Sequence, residues 1–237
     1  MREVKDGKDM EITHIILLIL EIIGTVSFAV SGSMEAIKAK LDAFGVLFVG
    51  CITAVGGGII RDLLIGRTPP GIFSNLYILL IAALSSLIVF VIAYIIHQRI
   101  QTVMHKFEWF TNLFDALGLA AFSVTGVEIA FVYGVSDNAV LSVILGLFTG
   151  VGGGLIRDVL INTTPYIFKK HVYAIASIIG ATVYYVIRLF SAQTLVASIV
   201  AMTLVVVIRL LAAKFLWSLP KVRLEEEPKT SEEDKKE

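Results

Sequence analysis

Long apolar runs alternate with short polar segments over most of the chain. Seven of these runs approach the roughly 20 residues that a helix needs to cross a lipid bilayer. The first run is too long, and the residues before it too acidic, for a cleaved signal peptide. The pattern therefore predicts an all-α polytopic membrane protein with seven transmembrane helices. The predicted spans cover residues 14–35, 43–65, 75–96, 111–133, 138–161, 171–190 and 193–217.

One pattern occurs twice within these runs. The stretch TAVGGGIIRDLL at 53–64 returns as TGVGGGLIRDVL at 149–160, an offset of 96 residues. Upstream, EIIGTVSFAVSG at 21–32 is related to DALGLAAFSVTG at 115–126 by an offset of 94. Spans one to three thus repeat as spans four to six, and the seventh span stands alone. Because three is odd, the second copy must enter the membrane from the opposite face, which predicts an inverted-topology repeat.

The repeat divides the chain into six predicted segments. These are a polar N-terminal tail (1–13), the first repeat (14–96), an interfacial linker (97–110), the second repeat (111–190), a seventh helix (191–217) and a charged, disordered tail (218–237).

The two glycine triplets are expected to break their helices. Each glycine weakens a helix by about 1 kcal/mol relative to alanine, so we predict kinks in the second and fifth helices at Gly56–Gly58 and Gly152–Gly154. Freed backbone carbonyls are tolerated inside a membrane only where protein or water surrounds them. We therefore expect the triplets to line a pore, together with the hydroxyls of Thr53 and Thr149. Close helix packing is the alternative role for these glycines.

An arginine and an aspartate follow each triplet. Asp62 and Asp158 are expected in the first turn of the half-helix after the break, where an acid can cap free N–H groups. Arg61 and Arg157 should face protein or water, since a lipid-facing arginine is costly. The alternative is that each Arg–Asp pair only pins a bent helix.

Other charged residues within the predicted spans are also candidates for function. Glu21 and Asp115 are equivalent in the repeat and are expected to partner an arginine or face a water path. Glu128 and Arg209 are interpreted as either functional or structural. For Arg209 there are two further alternatives: its side chain snorkels to the membrane surface, or it contacts another subunit.

Composition agrees with a membrane protein and argues against several other classes. Of the 237 residues 57% are hydrophobic and only 17% charged, and half of the charged residues lie before residue 14 or after residue 213. No basic stripe indicates nucleic acid, and the single Cys51 leaves no disulfide framework or thiolate zinc site. The GVGGG stretch lacks the lysine of a phosphate-binding loop, and no nucleophile–base pair or cofactor motif indicates an enzyme.

Lysines and arginines near the span ends predict the orientation. Nine lie on the side of the C-terminus: Lys38, Lys40, Arg99, Lys106, Lys169, Lys170, Lys214, Lys221 and Arg223. Five lie on the opposite side: Arg2, Lys5, Lys8, Arg67 and Arg188. The N-terminus is therefore predicted outside and the C-terminus in the cytoplasm.

The duplicated G-G-G-x-x-R-D at 56–62 and 152–158 resembles the trimeric intracellular cation channel family, in particular its bacterial and archaeal branch. Two further features resemble the same family: the acid-x-x-Gly pattern that opens each half, and the 3+3+1 order of the spans. It implies a homotrimer among membrane lipids, with one pore per protomer bounded by the second and fifth helices. The pore would conduct potassium and also sodium, and both ions would bind in it only transiently. The resemblance implies no cofactor and no tightly bound metal ion. A microbial plasma membrane is the implied location.

Two positions depart from the family pattern, and one other function stays open. Position 21 is glutamate where the family has aspartate, and no lysine or arginine lies between residues 111 and 133, so voltage control is not implied. Inverted repeats with broken helices are also typical of secondary transporters. The alternative function is therefore transport of a small solute such as glycine or another amino acid, with Arg61 or Arg157 binding a carboxylate.

Overall fold

The computed structural model describes residues 2–96, 100–169, 172–191, 193–215 and 217. Within these ranges all regular structure is helical. The helices are α1 (Arg2–Lys38), α2 (Ala43–Leu64), α3 (Leu76–Ile95), α4 (Ile100–Val132), α5 (Ala139–Leu160), α6 (Tyr166–Lys169), α7 (Val172–Phe190) and α8 (Thr194–Lys214), with a 3-10 turn at Gly71–Phe73. All except α6 are long and apolar enough to cross a membrane, so the predicted seven-span all-α fold is confirmed.

Two helices extend beyond their predicted spans. Helix α1 begins at Arg2, so residues assigned from sequence to a polar tail continue the first helix. Helix α4 begins at Ile100 and includes most of the predicted linker. Their apolar membrane-spanning parts are Glu11–Lys38 and Phe107–Val132. The predicted disordered tail, 218–237, lies outside the described residues.

Helix α4 lies at the centre of the bundle, where it contacts α1, α5, α7 and α8. In the most apolar stretch of α4, 78% is buried inside the protein, against 22% in the corresponding stretch of α3. Helix α3 instead exposes Leu80, Leu84 and Ile88, which share one helical face because they are four residues apart. The equivalent helices α1 and α4 thus form the interior with α2 and α5, while α3 lies at the periphery with this apolar face exposed.

The two copies of the repeat meet where α2 and α5 cross. A Cβ atom on Gly57 would collide with the carbonyl oxygen of Thr149, and one on Gly153 with that of Thr53. Only glycine allows two helix backbones to approach so closely. The contact is reciprocal, as two halves related by a twofold axis require.

The helices continue unbroken through both triplets, which overturns part of the sequence-based expectation. Helix α2 ends only at Leu64 and α5 only at Leu160. The unwound segment and the half-helix expected after it are therefore wrong, and Asp62 and Asp158 lie in the last turns of intact helices. The partner helix lies directly against the first two glycines of each triplet, Gly56–Gly57 and Gly152–Gly153, so the backbone has no reason to open there. A kink that preserves the helix stays a prediction.

Candidate functional site

A cavity of about 570 Å³ opens near the N-terminal end of α1. It lies between the middle of α1, the last three turns of α2, the start of α3 and the C-terminal third of α4. We call it the vestibule. Its polar lining consists of His14, Glu21, Thr25, Arg61, Asp62, Arg67, Asn75, Tyr77, Thr125 and Tyr133, and Gly58 is the one triplet glycine in the lining. Within the described residues no cluster of histidine, cysteine and acidic side chains is suited to hold a metal ion.

Asp62 anchors the loop that follows α2. Its Oδ1 accepts from Arg61 Nε at 2.9 Å, and its Oδ2 accepts from the backbone N–H of Gly71 at 2.7 Å. Arg67 Nη1 approaches the same Oδ2 at 3.8 Å. The carboxylate is fully buried, so this Arg–Asp pair closes the loop onto the helix end.

Glu21 is different, because it has no hydrogen bond or ion pair within the part of the chain that the structure describes. It lines the vestibule together with Arg61 and Arg67. A carboxylate at this depth is costly unless water or a cation reaches it. Glu21 is therefore the unpaired acid of the vestibule.

The equivalent residues of the second half form a buried cluster instead, which we call the inner cluster. Arg157 donates from Nη1 to Asp115 Oδ1 at 2.9 Å and from Nε to Asp158 Oδ1 at 2.8 Å. Arg209 of α8 donates from Nη2 to Asp115 Oδ2 at 3.4 Å. Both aspartates and both arginines are buried. Two negative and two positive side chains thus neutralise one another away from water.

Tyr166 closes this cluster on the side where α5 ends. Its backbone N–H donates to Asp158 Oδ2 at 2.8 Å, which mirrors the bond from Gly71 to Asp62. Its hydroxyl donates to Glu35 at 3.2 Å, and Glu35 is paired with Lys38 at 2.9 Å. Burial raises the pKa of Tyr166, so the phenol stays protonated and donates.

The two halves therefore place equivalent residues at equivalent positions but differ in which of these side chains are buried. Tyr77 and Tyr173 are equivalent in the repeat, yet Tyr77 is 40% exposed in the vestibule and Tyr173 only 1%. A Cβ on Gly58 would approach only Arg61, at 3.8 Å, whereas one on Gly154 would lie 3.0 Å from the Tyr173 hydroxyl. The first half is open where the second is filled by Tyr173.

An aromatic pair borders the vestibule. Phe28 and Phe122, equivalent in the repeat, meet edge to face with centroids 5.3 Å apart. Gly24 makes room for Phe122 and Gly118 for Phe28. Phe122 lines the vestibule and Phe28 packs behind it, and we call this pair the apolar base of the vestibule.

The threonines expected to face a pore are buried at the helix crossing. Thr53 donates to the carbonyl of Val49 at 2.6 Å and Thr149 to that of Leu145 at 2.5 Å. Neither threonine contributes to the vestibule lining. Hydroxyl bonds of this type often bend a helix.

Sequence reasoning underestimated three residues of these sites. Arg67 is in the vestibule but has threonine at the equivalent position of the second half, so the repeat gives no signal for it. Arg209 lies outside the repeat. Tyr173 was paired with Tyr77 by sequence, but nothing in the pattern indicates which of the two is buried.

Glu128 proves to be part of a separate ion pair near the C-terminal ends of α4 and α7. Arg188 binds it with two nitrogens, at 2.9 Å each, and Tyr184 donates to it at 2.8 Å. Neither charged side chain lines the vestibule. This pair holds α7 against α4.

Comparisons with known proteins agree with this architecture. A family model described as "Glycine transporter" matches residues 18–94 and again 112–189, and the two matches start 94 residues apart, as the sequence repeat does. The UPF0126 inner membrane protein YadS of Escherichia coli K12 is 39% identical over 70% of this chain and 78% of its own length. A UPF0126 membrane protein of Vibrio cholerae is also 39% identical, over 70% of this chain and 65% of its own length.

Solved structures of TRIC channels share the fold. One, from work on conductance through TRIC cation channels, is 37% identical, covers 88% of this chain and 98% of its own, and superposes with a TM-score of 0.74. The TRIC trimeric intracellular cation channel orthologue from Rhodobacter sphaeroides is 28% identical, covers 85% and 99%, and has a TM-score of 0.75.

Proposed function

Since the chain belongs to the family described as "Glycine transporter", whose bacterial relatives are called UPF0126 membrane proteins, we propose that it is a cation channel of the kind represented by its TRIC structural neighbours. The resemblance to the TRIC family noted in the sequence is confirmed by these structures. What they are reported to do supports the proposal for this chain.

The unpaired Glu21 at the wall of the vestibule is the observation that supports conduction most directly. Ions enter from the side of the α1 N-terminus and meet this carboxylate near the apolar base formed by Phe28 and Phe122. Beyond that base, the repeat supplies a second acid, Asp115, at the equivalent depth from the opposite side. A path through the protomer therefore runs past two symmetry-related acids.

Monovalent cations, potassium and also sodium, are the ions that such a path favours. A calcium ion takes six to eight oxygen ligands and binds best to several carboxylates, whereas the vestibule offers one free carboxylate beside two arginines. Conduction needs binding that is weak enough for the ion to leave. A single partly neutralised acid meets that condition for a monovalent ion.

The described state is closed on its inner side. Two observations support this closure: Phe122 lines the vestibule and packs on Phe28, and Tyr173 is buried where its counterpart Tyr77 is exposed. Opening requires that these side chains move away from the α2–α5 crossing. Gly56–Gly58 and Gly152–Gly154 are proposed as the points about which the two helices bend.

The oligomeric state, the membrane and the orientation of the chain are also part of the proposal. We propose a homotrimer with one pore in each protomer, in a microbial plasma membrane, with the N-terminus outside and the C-terminus in the cytoplasm. The trimeric neighbour and the lipid-facing apolar side chains support the first part. The lysine and arginine distribution supports the orientation.

Amino-acid transport is the second candidate, and the vestibule gives it a specific basis. Glu21 and Arg67 both line the cavity, so one wall offers a negative and another a positive group. Such a pair suits the ammonium and carboxylate of a zwitterion such as glycine. The description of the family model favours the same substrate.

Single-channel recording of the purified protein in a planar bilayer under a potassium gradient tests the proposal. A cation channel gives discrete steps that reverse near the potassium potential, with smaller steps in the Glu21→Gln variant and near-normal steps in Glu21→Asp. Silent bilayers, together with proteoliposomes that accumulate glycine against its gradient, would replace the channel by a transporter.

A further inference from the structure

Helix α8 is the one membrane span without a counterpart in the repeat, yet it reaches the centre of the second half. Its Arg209 is 4% exposed and lies in the inner cluster rather than toward lipid. The guanidinium stacks on the ring of Tyr173, with 4.5 Å from Cζ to the ring centroid, and contacts Asp115 Oδ2 at 3.4 Å. Among the described residues of the first half, no arginine contacts Glu21 as Arg209 contacts Asp115.

The two equivalent acids therefore differ in their positive partners. Asp115 has one oxygen on Arg157 at 2.9 Å and the other on Arg209. Glu21 makes neither contact within the described residues and faces the vestibule. Without Arg209, Asp115 and Asp158 would have only Arg157 between them, which leaves one net negative charge and one carboxylate oxygen free.

We propose that Arg209 is a tethered counter-ion that occupies a cation-binding position at Asp115 and thereby closes the inner half of the conduction path. The proposal rests on the cation-channel function proposed above. In this arrangement Glu21 binds the permeant ion from one side, and Asp115 binds the same kind of ion from the other side once Arg209 has left.

The contacts of Arg209 fit a group that can be displaced. Its bond to Asp115 is longer than that of Arg157, 3.4 Å against 2.9 Å. Its Nε is buried and has no hydrogen-bond partner within the described residues. Arg157 also has one buried nitrogen without a partner, Nη2, but it is fixed by two short charge-assisted bonds. A cation that arrives at Asp115 Oδ2 therefore competes with Arg209 and not with Arg157.

Tyr173 links this exchange to the closure of the path. It is held between the Arg209 guanidinium on its ring face and Gly154 at its hydroxyl. The hydroxyl itself has no hydrogen-bond partner in the described part of the chain, so the cation–π contact is its main polar restraint. Release of Arg209 frees the ring that fills the inner half.

The test compares Arg209→Gln and Arg209→Lys with the wild type in planar bilayers under a potassium gradient. Loss of the tethered charge should raise the open probability of Arg209→Gln roughly five- to hundredfold, the range of ordinary coupling free energies. Arg209→Lys, which retains a charge, should stay close to the wild type. Thermal melting of each purified variant shows that the comparison is made on folded protein.

Block of the current by free guanidinium ions distinguishes the proposed role of Arg209 from a purely structural role. Added from the C-terminal side at about 10 mM, far below the molar concentrations that denature proteins, guanidinium chloride should block Arg209→Gln in a voltage-dependent way. It should leave the wild type, whose position is already occupied, much less affected. Equal open probability in folded wild type and Arg209→Gln, or equal block of both, would overturn the proposal. If none of the proteins conducts potassium, the cation-channel function itself fails.

Discussion

Arg157 and Asp115 form an ion pair of 2.9 Å in which both side chains are completely buried. They come from different helices of the second repeat, α5 and α4, and the pair joins the last turns of α5 to the middle of α4. Buried charges are stable only when they are paired and hydrogen-bonded. The pair therefore fixes the geometry of the inner half of the molecule as well as its charge.

Removal of one member of this pair should be far more damaging than removal of both. We expect Arg157→Gln to lower the stability of the folded protein by about 3–5 kcal/mol, because two buried carboxylates lose a shared cation. The double variant Arg157→Gln/Asp115→Asn should recover a substantial part of that loss. Thermal melting of the four proteins of this double-mutant cycle measures the coupling, and additive effects would show that the pair does not act as a unit.

The closeness of the α2–α5 crossing makes a second prediction about two adjacent glycines. Gly57→Ala should destabilise the protein by about 1–3 kcal/mol, the usual cost of overpacking, because the new methyl group meets the Thr149 carbonyl. Gly58→Ala is the matched control, since a Cβ there has only Arg61 near it, at 3.8 Å. Similar melting temperatures for the two variants would contradict the crossing described here.

The difference between the equivalent tyrosines predicts a difference in chemical accessibility. In a Cys51→Ser background, Tyr77→Cys should react with a membrane-impermeant thiol reagent added outside intact cells, because position 77 lines the vestibule. Tyr173→Cys should remain unmodified, as should Ser177→Cys, a smaller change at a fully buried site. Labelling of Tyr77→Cys only from the cytoplasmic side would reverse the proposed orientation.

Glu21 should affect the conductance through its charge. The dependence of this effect on the salt concentration distinguishes it from the effect of a structural change. The conductance of Glu21→Gln should fall roughly three- to tenfold near 0.01 M KCl and hardly change near 1 M, since the Debye length shrinks from about 30 Å to 3 Å. Glu21→Asp keeps the charge and should track the wild type at both concentrations. A loss in Glu21→Gln that is independent of salt would argue for a structural role instead.

The seven spans and the two repeats follow from the sequence because both depend on local information. The length of an apolar run decides whether a helix can cross the bilayer, and the offsets of 96 and 94 residues align the halves without any coordinates. Helix ends were less accurate at α1 and α4, where polar residues continue a helix that hydropathy alone would have stopped.

Tertiary structure decided what the glycine triplets and their neighbouring charges do. Glycine weakens an isolated helix, which is why sequence predicted a break, but in the folded protein the backbone of the partner helix lies against Gly57 and Gly153 and the helices continue. Whether an acid is free or paired depended equally on distant elements. Glu21 and Asp115 are equivalent in sequence, but Asp115 is paired with Arg157 and, through the packing of α8, with Arg209 as well. Glu21 has no ion pair of either kind within the described residues.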